Sequence, residues 1–274
     1  MTPPVLCYHR VGGPLELGVT RVSPKVFRRQ MHALANAGWS TLTLDQFAAA
    51  LSSGDSALRT PHSAFLLSFD DGYSELAEFA FPIIAEVGFT ATTFLITDYI
   101  GKSNAWDVQY TRKPLRHLDW KAIEGWKARG FEFASHSATH ARLTWLDDTR
   151  VAGELARSRE TLSQRLGDCP AVAYPFGAVD ERVARLAKGA GYSLGFDGVA
   201  GIEGDPLRLS RVPVYVWDLA DTPFGLRDDE IGVAGRIIAY LANRCAVGTS
   251  VMKRVRGLGS GTSEPPDAPL TPDP

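Results

Sequence analysis

The sequence predicts an α/β fold built on a parallel sheet, and three observations carry that prediction. Short apolar, β-prone runs alternate with amphipathic helical stretches along most of the chain. The runs AFLLSF (64–69), ATTFLI (91–96) and GFEFAS (130–135) are too short for helices and are bounded by turn residues. Two of these strands end in carboxylates or histidines, at the strand edge where parallel α/β sheets build their sites. The alternation fits an open sheet or a closed barrel equally well.

Taken in order, VLCYHRV (5–11) opens as an apolar strand and ends in Tyr8-His9-Arg10. Residues 24–38 carry Phe27, Met31, Leu34 and Ala35 at helical spacing, with Ser23 as N-cap and Gly38 as stop. TLTL (41–44) is a short strand, and Asp45 caps a helix through Leu51. After a polar loop, strand 64–69 leads through Asp70-Asp71-Gly72 into a helix at 74–87, then into strand 91–96. A helix at 120–129 precedes strand 130–135, and a long amphipathic helix spans 146–166. AVAYPF (171–176) is a strand, 180–190 a helix, YSLGF (192–196) a strand, RVPVYVW (211–217) a strand and 228–243 a last helix.

There is no internal repeat and no sign of a second domain, so residues 1–254 read as one domain. Five of the last ten residues are proline, and 255–274 read as a disordered tail.

Of the 274 residues, 45% are hydrophobic and 22% charged, enough apolar mass for a sizeable core. A net charge of -2 without basic runs excludes the electrostatic footprint of a nucleic-acid binder. Cys7, Cys169 and Cys245 are odd in number and far apart, so no disulfide framework is expected. No apolar stretch is long enough for a membrane-spanning helix, and the N-terminus lacks the layout of a secretory signal. The chain as written is expected in the cytoplasm, or outside it if a signal has been trimmed.

Two stretches carry chemistry. LLSFDDGY (66–73) delivers two adjacent carboxylates at a strand end, where neighbours point in different directions. One can bind a metal while the other faces a reacting group; Asp-Asp-Gly is also a common strand-to-helix turn with Asp71 as N-cap. ASHSATHARLT (134–144) places His136 and His140 four positions apart, the spacing of His-x-x-x-His zinc sites, although two unrelated histidines would look the same. Asp71, His136 and His140 would make three protein ligands with an open position, the count of a catalytic centre. Such a metal polarises a carbonyl and acidifies water, and Asp70 is then the natural general base. The combination points to hydrolysis of an amide or ester.

SFDDGY followed by SHSATH resembles the paired signature of the polysaccharide deacetylases, carbohydrate esterase family 4 or NodB-homology domain, over roughly residues 5–217. The resemblance implies a distorted (β/α) barrel of about seven parallel strands, with Asp70 as base and Asp71, His136 and His140 on a divalent metal. Zinc is the first choice, with cobalt, manganese, nickel and iron(II) as alternatives. Ser137 would help hold the motif loop.

The family's R-x-P-Y motif meets AYPFG (173–177) here: Tyr174, Pro175 and Phe176 are candidate substrate contacts, but Ala173 replaces the arginine. The backbone N–H near Phe176 is then a candidate oxyanion donor. Arg211 could supply the missing guanidinium from a neighbouring strand, or be a strand-end surface charge. The Y-P-[FY]-G form resembles the deacetylases of poly-β-1,6-N-acetylglucosamine. For the family's Trp- and Asp-bearing motif only Asp197 and Trp217-Asp218 are candidates, with Trp217 a substrate contact.

The histidine expected near the C-terminus is absent, since none follows His140. In the circularly permuted branch that this chain resembles, a leading Tyr-His fills that role, which implies His9 as the general acid, with an imidazole pKa suited to neutral pH; the alternative is a strand-end histidine satisfied by packing or a backbone carbonyl. Trp120, Trp145, Tyr8 and Tyr73 could stack on sugar rings or simply pack. His32, His62 and His117 read as structural or surface residues, and Cys7 as a small core residue.

The expected function is metal-dependent removal of acetyl groups from an N-acetylated amino sugar, with a carbohydrate as substrate partner. The alternatives are hydrolysis of another C–N bond or acetyl ester on the same fold, or a silent carbohydrate-binding relative. Oligomeric state is not legible.

Overall fold

The structure is a computed structural model that describes residues 2–14, 19–52, 63–105, 114–198, 201–202, 204–223 and 226. The expected helix at 228–243, the tail and His62 lie outside the described residues.

Among the described residues are ten strands: β1 (Val5–Tyr8), β2 (Arg10–Val11), β3 (Arg21–Val22), β4 (Ser40–Thr41), β5 (Ala64–Phe69), β6 (Thr92–Leu95), β7 (Glu132–Ser135), β8 (Ala171–Ala173), β9 (Leu194–Phe196) and β10 (Val212–Pro213). The main sheet runs β10-β1-β5-β6-β7-β8-β9, with β4 beside β5, and every pairing in it is parallel. These seven strands curl into a half-barrel, the expected fold. Between its two edges runs 207–211: Leu209 bridges to Phe196 of β9, and Val212 then pairs with Leu6 of β1.

The helices are α1 (Pro24–Asn36), α2 (Leu44–Ser52), α3 (Phe81–Glu86), α4 (Trp120–Lys127), α5 (Asp148–Leu166) and α6 (Glu181–Gly189). Their starts follow capping chemistry. The side chains of Ser23, Asp119, Asp147 and Asp180 each accept a first-turn backbone N–H. In α5, Val151, Leu155, Ser158 and Leu162 form the buried face, and Gly167 at φ 86° ends the helix.

Four expected elements differ. Helix α2 is preceded by Thr43, whose hydroxyl accepts from Gln46 N–H, so Asp45 is a first-turn residue and not the cap. The expected helix 74–87 is a π-turn at Leu76–Ala80 followed by α3, with Pro82 in its first turn. Strands 171–176 and 211–217 are shorter than expected. Pro175 starts a 3-10 turn in the first, and β10 ends at Pro213.

Strand β1 lies inside the sheet between β10 and β5, all four of its residues buried. Tyr8 packs with Phe27 and Phe69, and its hydroxyl donates to Gln30 Oε1. Tyr73 is buried and stacked on His117. Both tyrosines are thus core residues, not sugar platforms. No described helix is long and apolar enough to cross a membrane.

Candidate active site

Four loops at the C-terminal ends of β1, β5, β7 and β8 meet at one end of the half-barrel. The turn after β5 places Asp70 and Asp71, both buried. Its backbone is pinned from behind. His117 Nδ1 donates to Asp71 O at 2.8 Å, and Leu118 N–H donates to Gly72 O. Gly72 sits at φ 68°, and a Cβ there would fall 2.5 Å from Leu95 Cδ2, so the turn requires glycine. His117, expected to be structural or surface, is a buried support of the Asp-Asp turn.

The loop after β7 is held as firmly. His140 N–H donates to Ser137 Oγ at 3.0 Å, the loop-holding role expected of Ser137. Glu154 of α5 accepts from Ala138 N–H, Thr139 N–H and the Thr139 hydroxyl at 2.9–3.1 Å. Sequence reasoning missed Glu154, although its place beside the apolar face of α5 was the available signal.

Among the described residues, only Asp71, Ser137, His140 and Phe176 combine a side chain with positive φ, at 60–68°. All four belong to these loops. Left-handed backbone at non-glycine residues is costly and concentrates where function demands it.

Asp71, His136 and His140 converge with all ligand atoms within 4.8 Å of one another. Asp71 Oδ1 lies 3.5 Å from His136 Nε2 and 3.4 Å from His140 Nε2. Donors on a tetrahedral ion at 2.0–2.2 Å are separated by about 3.3–3.6 Å, so this carboxylate and two imidazoles fit a zinc-sized cation. His136 Nδ1 donates to Ala173 O at 2.8 Å, which leaves the Nε2 lone pair facing the centre. Burial pushes the His136 pKa down to about 4 despite the nearby Asp70 carboxylate, so the ring is neutral, as a ligand must be.

Asp70 faces the other way. Arg211 donates to it bidentately, Nη1 to Oδ1 at 2.7 Å and Nη2 to Oδ2 at 2.9 Å. Arg211 is only 5% exposed and its Nε donates to Asp197 O, so it is not a strand-end surface charge. Burial works to raise the Asp70 pKa. Arg211 outweighs it, with His136 and His9 adding to the effect, and holds the carboxyl far below the usual range. Asp70 is ionised at every working pH.

His9 follows β1 and brings Nε2 to 4.0 Å from Asp70 Oδ2, the same distance as His136 Nε2. Its pKa is lowered: burial outweighs the pull of Asp70, and Arg211 adds to the fall. The resting imidazole is therefore less protonated than the neutral-pH donor expected from sequence. Cys7, expected only to fill space, points its Sγ at Asp70 Oδ2, 3.5 Å away.

The remaining candidates divide. Phe176 stacks edge-on against His140 with ring centroids 4.6 Å apart, at the wall of the centre. Pro175 is buried beneath it. Tyr174 is fully buried with its hydroxyl donating to Leu207 O, so it packs in the core and does not line a substrate surface. Trp217 lies after β10, 47% exposed and stacked on Tyr215. Asp197 joins the site through its backbone contact to Arg211, and Asp218 O accepts from Gln30. Trp145 is 46% exposed, and Trp120 packs against the core.

Residues 57–195 match the profile of the family described as polysaccharide deacetylase. The Bacillus subtilis protein YxkH, a candidate polysaccharide deacetylase, is 26% identical over 215 residues, covering 77% of this chain and 71% of the relative. The poly-β-1,6-N-acetyl-D-glucosamine N-deacetylase of Staphylococcus epidermidis is 25% identical over 234 residues, covering 76% of this chain and 78% of the relative. The Streptococcus pyogenes deacetylase PplD, solved in complex with acetate, shares the fold at a TM-score of 0.70 and 22% identity, over 80% of this chain and 94% of that one.

Proposed function

From the premise that the chain belongs to the polysaccharide deacetylase family, we propose that it is a divalent-metal-dependent hydrolase that removes acetyl groups from N-acetylated amino sugars, with oligo- or poly-N-acetylglucosamine as the substrate class. The observation that carries this reading is the division of labour between adjacent carboxylates. Asp71 converges with two imidazoles on a cation-sized centre, while Asp70 is clamped by Arg211 and lies 4.0 Å from His9 Nε2. The likeness to the staphylococcal deacetylase supports the substrate class.

Asp71, His136 and His140 would hold the ion, zinc by preference for a mixed imidazole and carboxylate set. When bound it supplies a Lewis acid that polarises the acetyl carbonyl and acidifies water. Asp70 takes the water proton, and the bidentate clamp of Arg211 fixes its direction. His9, with Nε2 4.0 Å from Asp70 Oδ2, must first take up a proton and then gives it to the departing amine. Phe176 walls the centre against His140 and would shape the acetyl pocket, keeping bulk water away. The products are acetate and a free amino sugar.

Replacement of Asp70 by asparagine tests this assignment. Acetate release from N-acetylglucosamine oligomers should fall about 10²–10⁴-fold, while the first equivalent of metal stays bound as in the wild type. The same panel should include acetylated xylan and cyclic ureides. Turnover confined to those compounds, or unchanged acetate release in Asp70→Asn, would refute the reading.

A further inference from the structure

A second set of donors stands behind the first. Cys7 Sγ, His9 Nε2 and Asp70 Oδ2 lie within 4.8 Å of one another, Cys7 within β1, His9 just after it and Asp70 just after the adjacent β5. We propose that these three atoms form a second, inhibitory site for a borderline cation such as zinc, separate from Asp71, His136 and His140.

The donor set suits the ion. Thiolate, imidazole and carboxylate together favour zinc or cobalt over magnesium or calcium. With metal–sulfur bonds near 2.3 Å and metal–oxygen bonds near 2.0 Å, a tetrahedral ion separates the two donors by about 3.5 Å. Sγ and Oδ2 already stand 3.5 Å apart. His9 Nε2 is 4.0 Å from Oδ2, and its side chain is 27% exposed, which leaves it able to close the remaining gap and leaves the ion a route in.

Cys7 lies on a buried strand where a small apolar residue would fill the space. Its thiol is aimed instead at the carboxylate of the candidate base.

Two features make this site weaker than the first. Binding must expel the thiol proton to solvent, Cys-SH plus the dication giving the metal thiolate and one proton. Arg211 also keeps its charge on the same carboxylate, with Nη2 2.9 Å from Oδ2. The ion therefore fills this site only after the first is occupied.

Once there, it takes the lone pairs of Asp70 Oδ2 and His9 Nε2 together, leaving neither free to move a proton. The inhibitory consequence rests on the deacetylase reading; the binding does not.

Cobalt(II) titration of the metal-free full-length protein tests the site directly. Wild-type protein should bind two equivalents, the second raising a near-ultraviolet thiolate-to-cobalt charge-transfer band. Cys7→Ser should keep the spectrum of the first equivalent, which also shows that it folds, and lose the band.

Acetate release with zinc gives the second readout, taken within each variant as the ratio of activity at one equivalent to activity in excess. By simple occupancy, wild-type activity should fall about tenfold when free zinc reaches roughly ten times the second dissociation constant. The ratio in Cys7→Ala should stay near one.

A single bound equivalent, a band that survives in Cys7→Ser, or equal inhibition of Cys7→Ala would overturn the proposal. Two equivalents with the Cys7-dependent band but no acetate release from any substrate would support the site and overturn the deacetylase reading.

Discussion

At the carboxylate of Asp70, burial and charge oppose each other. Burial favours the neutral acid, and the bidentate Arg211 pair wins, keeping the group ionised. Both partners are at most 5% exposed, so neither charge can fall back on water. Breaking such a pair from one side leaves an uncompensated buried charge and costs about 3–5 kcal/mol. Arg211→Met should lose stability of that order in denaturant titration. Arg211→Lys, which keeps the charge but not the planar fork, should recover part of the stability and little of the turnover. Near-wild-type stability in Arg211→Met would show that Asp70 is held by other means.

The residues of the centre were the most legible part of the sequence. A strand-end Asp-Asp and a His-x-x-x-His carry their chemistry in their own spacing. Arg211 was legible only as a possibility, because 141 positions separate it from Asp70 and only the curl of the sheet joins them. Cys7 gave no signal beyond its apolar surroundings.

On the scale of elements, the His136–His140 loop depends on α5. Glu154 gathers two backbone N–H groups and one hydroxyl from residues 138–139, in a loop where Ser137 and His140 both hold left-handed backbone. Outer supports of this kind set the orientation of metal ligands, and their loss costs about 10–100-fold in metal affinity. Glu154→Ala should weaken zinc binding by that factor in a competition titration. Unchanged affinity would mean that Ser137 alone fixes the loop.

The start of α1 was legible because Ser23 carries its own capping oxygen, whereas the caps Asp119, Asp147 and Asp180 were not singled out in the sequence. The ends of 171–176 and 211–217 were not legible either. Pro175 turns the first into a 3-10 turn, and the second ends soon after Pro213, which pairs with Cys7 while Val214 N–H donates to Cys7 O; apolar content alone suggested longer strands.

For the molecule as a whole, the position of β1 is decisive. Chain termini usually fray, yet here the first strand is paired on both sides, with β10 and β5, and fully buried. Beside β10, this strand brings His9 Nε2 to 4.0 Å from Asp70 Oδ2. Removal of residues 1–8 should therefore abolish cooperative unfolding, read by thermal denaturation. A truncated protein with a wild-type transition would contradict the sheet order.

The alternation of strands and helices announced a parallel α/β sheet. It did not tell an open sheet from a barrel, because curl arises from pairings between distant strands that periodicity does not encode.

The central claim is that Asp71, His136 and His140 hold a divalent ion on which acetate release depends. Its most direct test is metal analysis of the purified protein, run beside acetate release from N-acetylglucosamine oligomers before chelation, after chelation and after addition of one equivalent of zinc. The account predicts a tightly bound ion, loss of turnover on chelation and recovery with zinc, with neither ion nor turnover in His136→Ala. A protein that binds no divalent ion, or that releases acetate equally well without one, would contradict it.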